Sequence, residues 1–106
     1  MITLYKDARP VNVFPGLIRR TLAQSQLLMI CEFTFDAHVE VPVHSHRHEQ
    51  VGYLVEGHVE MMIAGEKFEL TKGDSYCAPS NVPHGVFTLE PSVIVDTFSP
   101  PREDYQ

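Results

Sequence analysis

Residues 41–57 read VPVHSHRHEQVGYLVEG and place three of the chain's six histidines, His44, His46 and His48, within five positions. On a strand, His44 and His46 project from the same face, and two imidazoles so spaced can grip one metal ion. On a straight strand Gln50 would lie roughly 20 Å beyond His44, at about 3.3 Å per residue. For Gln50 to reach the same ion, the chain must reverse near Arg47–Glu49 and return on the adjacent strand. That turn puts His48 and Glu49 at or near its tip, away from the ion. The same pair also fits an exposed strand face, or a solvated loop, with no ion at all.

Outward from this stretch, helix signals are nearly absent. Short runs rich in Val, Ile, Phe, Tyr and Thr are cut by Gly, Pro and Asn, which predicts ten strands between Val11 and Phe98. Among them are Leu27–Phe35, Val41–His46, Gln50–Glu56, Asp74–Ala78 and Val93–Phe98. Turn residues fall between them, as at Pro15-Gly16, Glu56-Gly57 and Pro79-Ser80-Asn81. Ten short strands with such turns predict an all-β, antiparallel sandwich or barrel. With 106 residues, 43% hydrophobic and 21% charged, the chain is expected to be one domain, 1–106. Its core spans about 27–98, and a polar, proline-broken tail, 99–106, leaves the sheet.

A net charge of −6 argues against nucleic acid and against a basic membrane-binding face. No apolar run is long enough to span a bilayer, and the start lacks a secretory signal, so the expected location is the cytoplasm. Cys31 and Cys77 have no metal-like spacing and are expected to be reduced packing residues.

A further histidine, His84, stands in PSNVPHG, its approach stiffened by Pro79 and Pro83. Delivered from a distant strand to face His44 and His46, it completes a set of three neutral imidazoles, which suits Zn, Ni, Cu or Fe. Its other reading is a hydrogen-bonded corner. His38 and His58 read as surface or turn residues. In the closing VIVDTFSPPREDY, alternation puts Ile94, Asp96 and Phe98 on one face. If that face is interior, the Asp96 carboxylate needs a partner, a metal or a chemical role. Arg102 can then fold back over the mouth as an anion clamp. The alternative has Asp96 ending a strand and Arg102 in solvent.

These segments resemble the two motifs of the cupin family. The first, G-x5-H-x-H-x3-4-E-x6-G, is matched by His44, His46, Gln50 and Gly57, with His38 at the first glycine. The second, G-x5-P-x-G-x2-H-x3-N, is matched by Gly73, Pro79 and His84, with Asn81 for glycine and Thr88 for asparagine. The resemblance implies a jelly-roll β-barrel and a metal at His44, His46, Gln50 and His84. Gln50 stands where the family carries glutamate, so the site adds no negative charge and the ion keeps its full Lewis acidity. An anionic substrate suits such a centre. Redox oxygen chemistry suits it less.

Within the cupins, the chain looks like the small pectin-degradation proteins of KdgF type. Their D-x-F-x3-R tail matches Asp96, Phe98 and Arg102. This likeness implies conversion of 4,5-unsaturated monouronates into linear keto acids, with Asp96 and Arg102 catalytic and Phe98 walling the pocket. Tyr53 and Met62 are further candidate wall residues. The implied cofactor is a divalent transition metal: Ni, Zn, Fe or Mn. The implied partners are a small anionic sugar acid and a second copy of the chain, with the ITLY segment adding to its sheet edge. Two other functions stay open: a small metal-dependent oxygenase and a non-catalytic sugar-acid-binding cupin.

Overall fold

Strict alternation of buried and accessible residues along Met29–Phe35 and Ser92–Ser99 shows how the chain divides its two faces. Strands so patterned pack one face on a core and leave the other wet. The computed structural model describes all of residues 1–106. Its strands are β1 (Pro10–Phe14), β2 (Leu17–Gln24), β3 (Met29–Phe35), β4 (Glu40–His44) and β5 (Glu49–Glu56). They continue with β6 (His58–Ile63), β7 (Glu66–Thr71), β8 (Ser75–Ala78), β9 (His84–Thr88) and β10 (Ser92–Ser99).

All pairings are antiparallel. One sheet has the order β1-β2-β3-β10-β5-β8 and the other β4-β9-β6-β7. The expected barrel is thus a two-sheet jelly roll, with no continuous ladder closing it. Between the sheets lie Met29, Phe33, Phe35, Leu54, Val59, Met61, Ile94 and Phe98. Phe98, Met29 and Leu54 are almost wholly buried. Each such side chain contributes about 1.5–3 kcal/mol of hydrophobic stabilisation.

All ten strands form, with two instructive shifts. Leu27 and Leu28, expected in a strand, occupy a turn in which the Ser25 hydroxyl accepts both their N–H groups at 3.2 Å. More important, β4 ends at His44, so His46 lies in the following loop and the pair does not share one strand face. The chain does reverse there, but β5 belongs to the opposite sheet and is not hydrogen-bonded to β4. The crossing loop is held to a second loop: Asn81 N–H donates to the His46 carbonyl at 2.8 Å, and the Ser80 hydroxyl to that of Arg47 at 2.5 Å.

The family-motif departures have physical explanations. His38 and Asn81, which stand at motif glycines, both adopt the left-handed region, with φ of 61° and 64°. Both side-chain types are enriched there among non-glycine residues. Thr88, at the asparagine position, is fully buried; its hydroxyl donates to the Asp36 carbonyl at 2.7 Å and accepts from Val39 N–H at 2.9 Å. Cys31 is buried as expected. Cys77 is exposed, because β8 is a sheet edge and Cys77 sits on its outer face; both thiols are free. No helix is long and apolar enough to cross a membrane.

Gly57 has φ of 109°, and a Cβ there would lie 2.1 Å from the Ser92 hydroxyl and 2.6 Å from its Cα. Gly65 also has positive φ (80°), but nothing lies within 4 Å of its Cβ position. Gly57→Ala should therefore cost more than about 2 kcal/mol, whereas Gly65→Ala should cost about 1 kcal/mol of backbone strain. Thermal unfolding of the two variants checks this, with equal losses contradicting it.

Candidate metal centre and active site

Three imidazoles converge between the sheets: His44 from the end of β4, His46 from the crossing loop and His84 from the start of β9. His44 and His84 are register partners in one ladder, so their approach is a consequence of strand pairing. Their ring centroids lie 4.5 Å apart, and those of His46 and His84 4.8 Å apart. The candidate ligand atoms of all three lie within 4.8 Å of one another. Two nitrogens bound to one ion at about 2.1 Å sit about 3.0 Å apart at right angles and about 4.2 Å apart when opposed, so the widest pair needs to close in by between about 0.6 and about 1.8 Å.

Each ring is oriented by a backbone carbonyl. His44 Nδ1 meets the Pro42 oxygen, His46 Nδ1 the His48 oxygen and His84 Nδ1 the Val82 oxygen, all at 2.9 Å. A carbonyl can only accept, so each Nδ1 carries the hydrogen and each Nε2 keeps its lone pair. His84 Nε2 is buried without any hydrogen-bond partner, an expensive state for a lone imidazole nitrogen. Burial chiefly, then the Arg102 charge and the nearby imidazole of His84, lowers the His46 pKa; burial chiefly lowers that of His84. Neutral imidazoles with free Nε2 atoms are metal ligands in waiting.

Gln50 completes the set from β5. Its Oε1 lies 3.1 Å from His46 Nε2, while its Nε2 donates to the Tyr76 oxygen at 2.7 Å. With Nδ1 of His46 protonated, two lone-pair acceptors therefore face each other at 3.1 Å. Moving that proton to Nε2 only shifts the conflict to the His48 carbonyl. A cation resolves it: two donors held at right angles on an ion at about 2.1 Å sit about 3.0 Å apart. The residues present therefore fit a divalent ion, with His44, His46, His84 and Gln50 able to hold it.

Beside this set, cross-strand register builds two rows on the inner face of the six-stranded sheet. Phe98, Gln50 and Ala78 form one, and Asp96, Gly52 and Tyr76 the next. Asp96 is 5% exposed, and the Tyr76 hydroxyl donates to its Oδ1 at 2.5 Å. Burial raises the Asp96 pKa to about 7, against the opposing pull of the Tyr76 hydroxyl and the Gln50 amide. Burial first, then the Asp96 charge, pushes the Tyr76 phenol well above its ordinary range.

A cavity of about 90 Å³ is lined by His44, His84, Gln50, Tyr76, Asp96, Phe98 and Arg102 among mainly apolar walls. It offers space for roughly half a dozen water centres, the scale of one small molecule and not of a polymer. Arg102 packs over the rings of Phe98 and Tyr105, at 5.5 and 4.3 Å from their centroids. Its Nε and Nη2 donate to Asp104 at 3.1 and 3.0 Å.

Two candidates fall outside the cavity. Tyr53 is half exposed, because on β5 it alternates with Leu54 and faces solvent. Met62 is partly exposed on the outer face of β6, and its neighbour Met61 takes the inner position. His48 stands in the reversing loop and outside the converging triad, and it is buried there: its Nε2–H donates to Glu103 at 2.9 Å, with Arg47 donating to the same oxygen at 2.7 Å. Tyr76 was not singled out from the sequence. Its signal, a small residue opposite it in the sheet, depends on β5 pairing with β8, three strands further along the chain.

The cupin domain family matches residues 31–98, and the chain belongs to it. The chain is 39% identical to the pectin degradation protein KdgF of Dickeya dadantii over 92 residues, 85% of this chain and 84% of that protein. It is 37% identical over 65 residues to H2HPP isomerase of Bacillus subtilis, covering 59% of this chain but 28% of that protein. Among solved structures, KdgF from Halomonas sp. superposes with a TM-score of 0.94 at 35% identity, covering 100% of this chain and 98% of that one. An RmlC-like cupin from Shewanella frigidimarina gives 0.95 at 36% identity, covering 99% and 95%.

In metal-stripped protein the fold holds a proton on Asp96 that the unfolded chain releases between about 3.8 and about 7. Stability from this group is complete at low pH and lost as pH rises through that window. The melting temperature of Asp96→Asn relative to the parent should accordingly climb from about pH 4 to about pH 7 and level off above. A flat difference would show that the buried carboxyl is not held neutral.

Proposed function

We propose that this cupin converts 4,5-unsaturated monouronates into linear keto acids, using a divalent transition metal held by His44, His46, His84 and Gln50. The observation that carries the reading is one cavity bringing members of that donor set together with Asp96, Phe98 and Arg102. The match to KdgF over most of both chains supports the same substrate class. Neutral nitrogen and oxygen donors suit Ni, Zn, Fe or Mn.

The substrate is a cyclic hemiacetal whose ring oxygen is attached to a C4–C5 double bond conjugated to the carboxylate. Ring opening removes the proton of the C1 hydroxyl, breaks the bond from C1 to the ring oxygen and leaves an enolate at C5. Protonation at C4 then gives the ketone. One proton is lost and one gained, so a single acid–base group suffices.

Asp96 is that group in this reading: with its pKa raised to about 7, both protonation states are populated near neutrality. Arg102 keeps its Nη1 hydrogens free of protein partners and can pair with the substrate carboxylate. Phe98 and the apolar walls limit water around the enolate. A bound divalent ion would supply Lewis-acid stabilisation of negative charge on oxygen. Gln50, being neutral, leaves that charge unreduced for an anionic substrate. The shorter match to an isomerase agrees with a reaction that moves a proton and leaves the formula unchanged.

The test follows ultraviolet absorbance of 4,5-unsaturated galacturonate with metal-loaded and chelated protein. Accelerated, metal-dependent loss of the conjugated band is expected. A spontaneous rate with metal bound would overturn the reading; oxygen uptake by iron-loaded protein would then point to an oxygenase, and sugar-acid binding without turnover to a binding protein. Asp96→Asn should reduce turnover by about 10²–10⁴-fold while keeping the metal. A loss below tenfold would remove Asp96 from proton transfer.

A further inference from the structure

A primary amide has two ends of nearly equal size, and only one of them can bind a cation: the oxygen has lone pairs to offer, the NH2 does not. Nothing in the shape of Gln50 decides which end meets the histidines. The decision is made on its far side, where the amide meets Tyr76, a residue that touches no proposed ligand except through Gln50. We propose that Tyr76 is a positioning residue for this centre, turning the Gln50 amide so that its oxygen faces the three histidines.

The geometry is a one-way chain of hydrogens. Tyr76 has a single hydroxyl hydrogen, and with Asp96 ionised, or protonated on Oδ2, it goes to Asp96 Oδ1 at 2.5 Å. The phenol oxygen is then left as an acceptor, and the Gln50 group lying 2.7 Å from it is the Nε2 donor. With the amide nitrogen committed there, Oε1 falls 3.1 Å from His46 Nε2, on the side of the converging histidines. The opposite polarity would present NH2 to the ion, which cannot ligate it.

Two further observations show that the link has room made for it. Asp96, Gly52 and Tyr76 are register neighbours across three strands, with glycine in the middle. A Cβ on Gly52 would sit 2.2 Å from Asp96 Oδ1 and 2.2 Å from Tyr76 Cε1. The phenol reaches the carboxyl only because that position has no side chain. Tyr76 is half-buried, and burial raises its phenol pKa well above the ordinary range, so the hydroxyl keeps its hydrogen and needs a partner for it.

The chain accounts for glutamine at position 50. A glutamate there would present no hydrogen to Tyr76, and two carboxylates would compete for the one phenolic hydrogen. Glutamine supplies the missing donor and a neutral oxygen ligand with the same side chain.

The inference rests on the metal site proposed above and not on the substrate. Its test is a titration of metal-stripped protein with Co²⁺ against a competing chelator, read by affinity and by the visible d–d absorption. Tyr76→Phe keeps the ring and deletes the hydroxyl; it should weaken Co²⁺ binding by about 10–100-fold and shift the band. In a Gln50→Glu background the same substitution should change affinity less than about threefold, because a carboxylate presents oxygen either way round. In a Gln50→Ala background it should have no further effect. Equal losses in all backgrounds would overturn the proposal in favour of a packing role, and so would no loss in the parent. Failure of the parent itself to bind Co²⁺ would instead remove the metal site, and this inference with it.

Discussion

Three backbone carbonyls, those of Pro42, His48 and Val82, determine what this site can be. Each takes the Nδ1 hydrogen of one histidine and so leaves the Nε2 lone pair free, in three rings whose candidate ligand atoms lie within 4.8 Å of one another. The polypeptide path that presents those carbonyls is set in turn by the fold: a ladder that ends at His44 and His84, and a crossing loop tied to the loop at Ser80–Asn81. Without these bonds the imidazoles would be free to choose either tautomer, and convergence of rings would not be convergence of ligands.

The second determinant is the inner face of the six-stranded sheet. Because side chains alternate, β10 delivers Ile94, Asp96 and Phe98 to the same side, and β5 places Gln50 and Gly52 beside the last two. The sheet thus carries an amide, a carboxyl and an aromatic ring in adjacent rows, facing the converging histidines. A buried carboxyl costs stability in such a setting, and functional groups are where folds tolerate that cost.

The tail closes one side of the cavity. Tyr105 packs against Phe33 and Phe98, and its carbonyl accepts from the Thr21 hydroxyl at 2.6 Å. Glu103 accepts from His48 and Arg47 in the crossing loop. The loop bearing His46 and the segment bearing Arg102 are therefore coupled, which gives His48 a structural place: its ring lies 5.5 Å from that of His46, but it is not one of the three whose ligand atoms converge.

Much was legible in the sequence because it was local or motif-borne. Period-two alternation with turn residues specified ten strands and put Asp96 on one face with Ile94 and Phe98, but left open whether that face is interior. The histidine and glutamine positions came from spacing and from the family motifs. Failures arose where the outcome depended on partners distant in the chain. His46 was assigned to a strand that stops two residues earlier, because the end of a strand is decided by its ladder partner. Residue type alone suits Tyr53 and Met62 to a cavity wall, yet the alternation phases of β5 and β6 turn both outward. Tyr76 went unnoticed, since only the pairing of β5 with β8 brings it across Gly52 to Asp96. Sequence by itself determined which chemical groups are available and which strand faces are apolar, since both are properties of neighbouring residues. Tertiary structure alone decided which lone pairs meet and which end of the Gln50 amide faces them, because hydrogen-bond direction depends on partners that only folding brings within 3 Å.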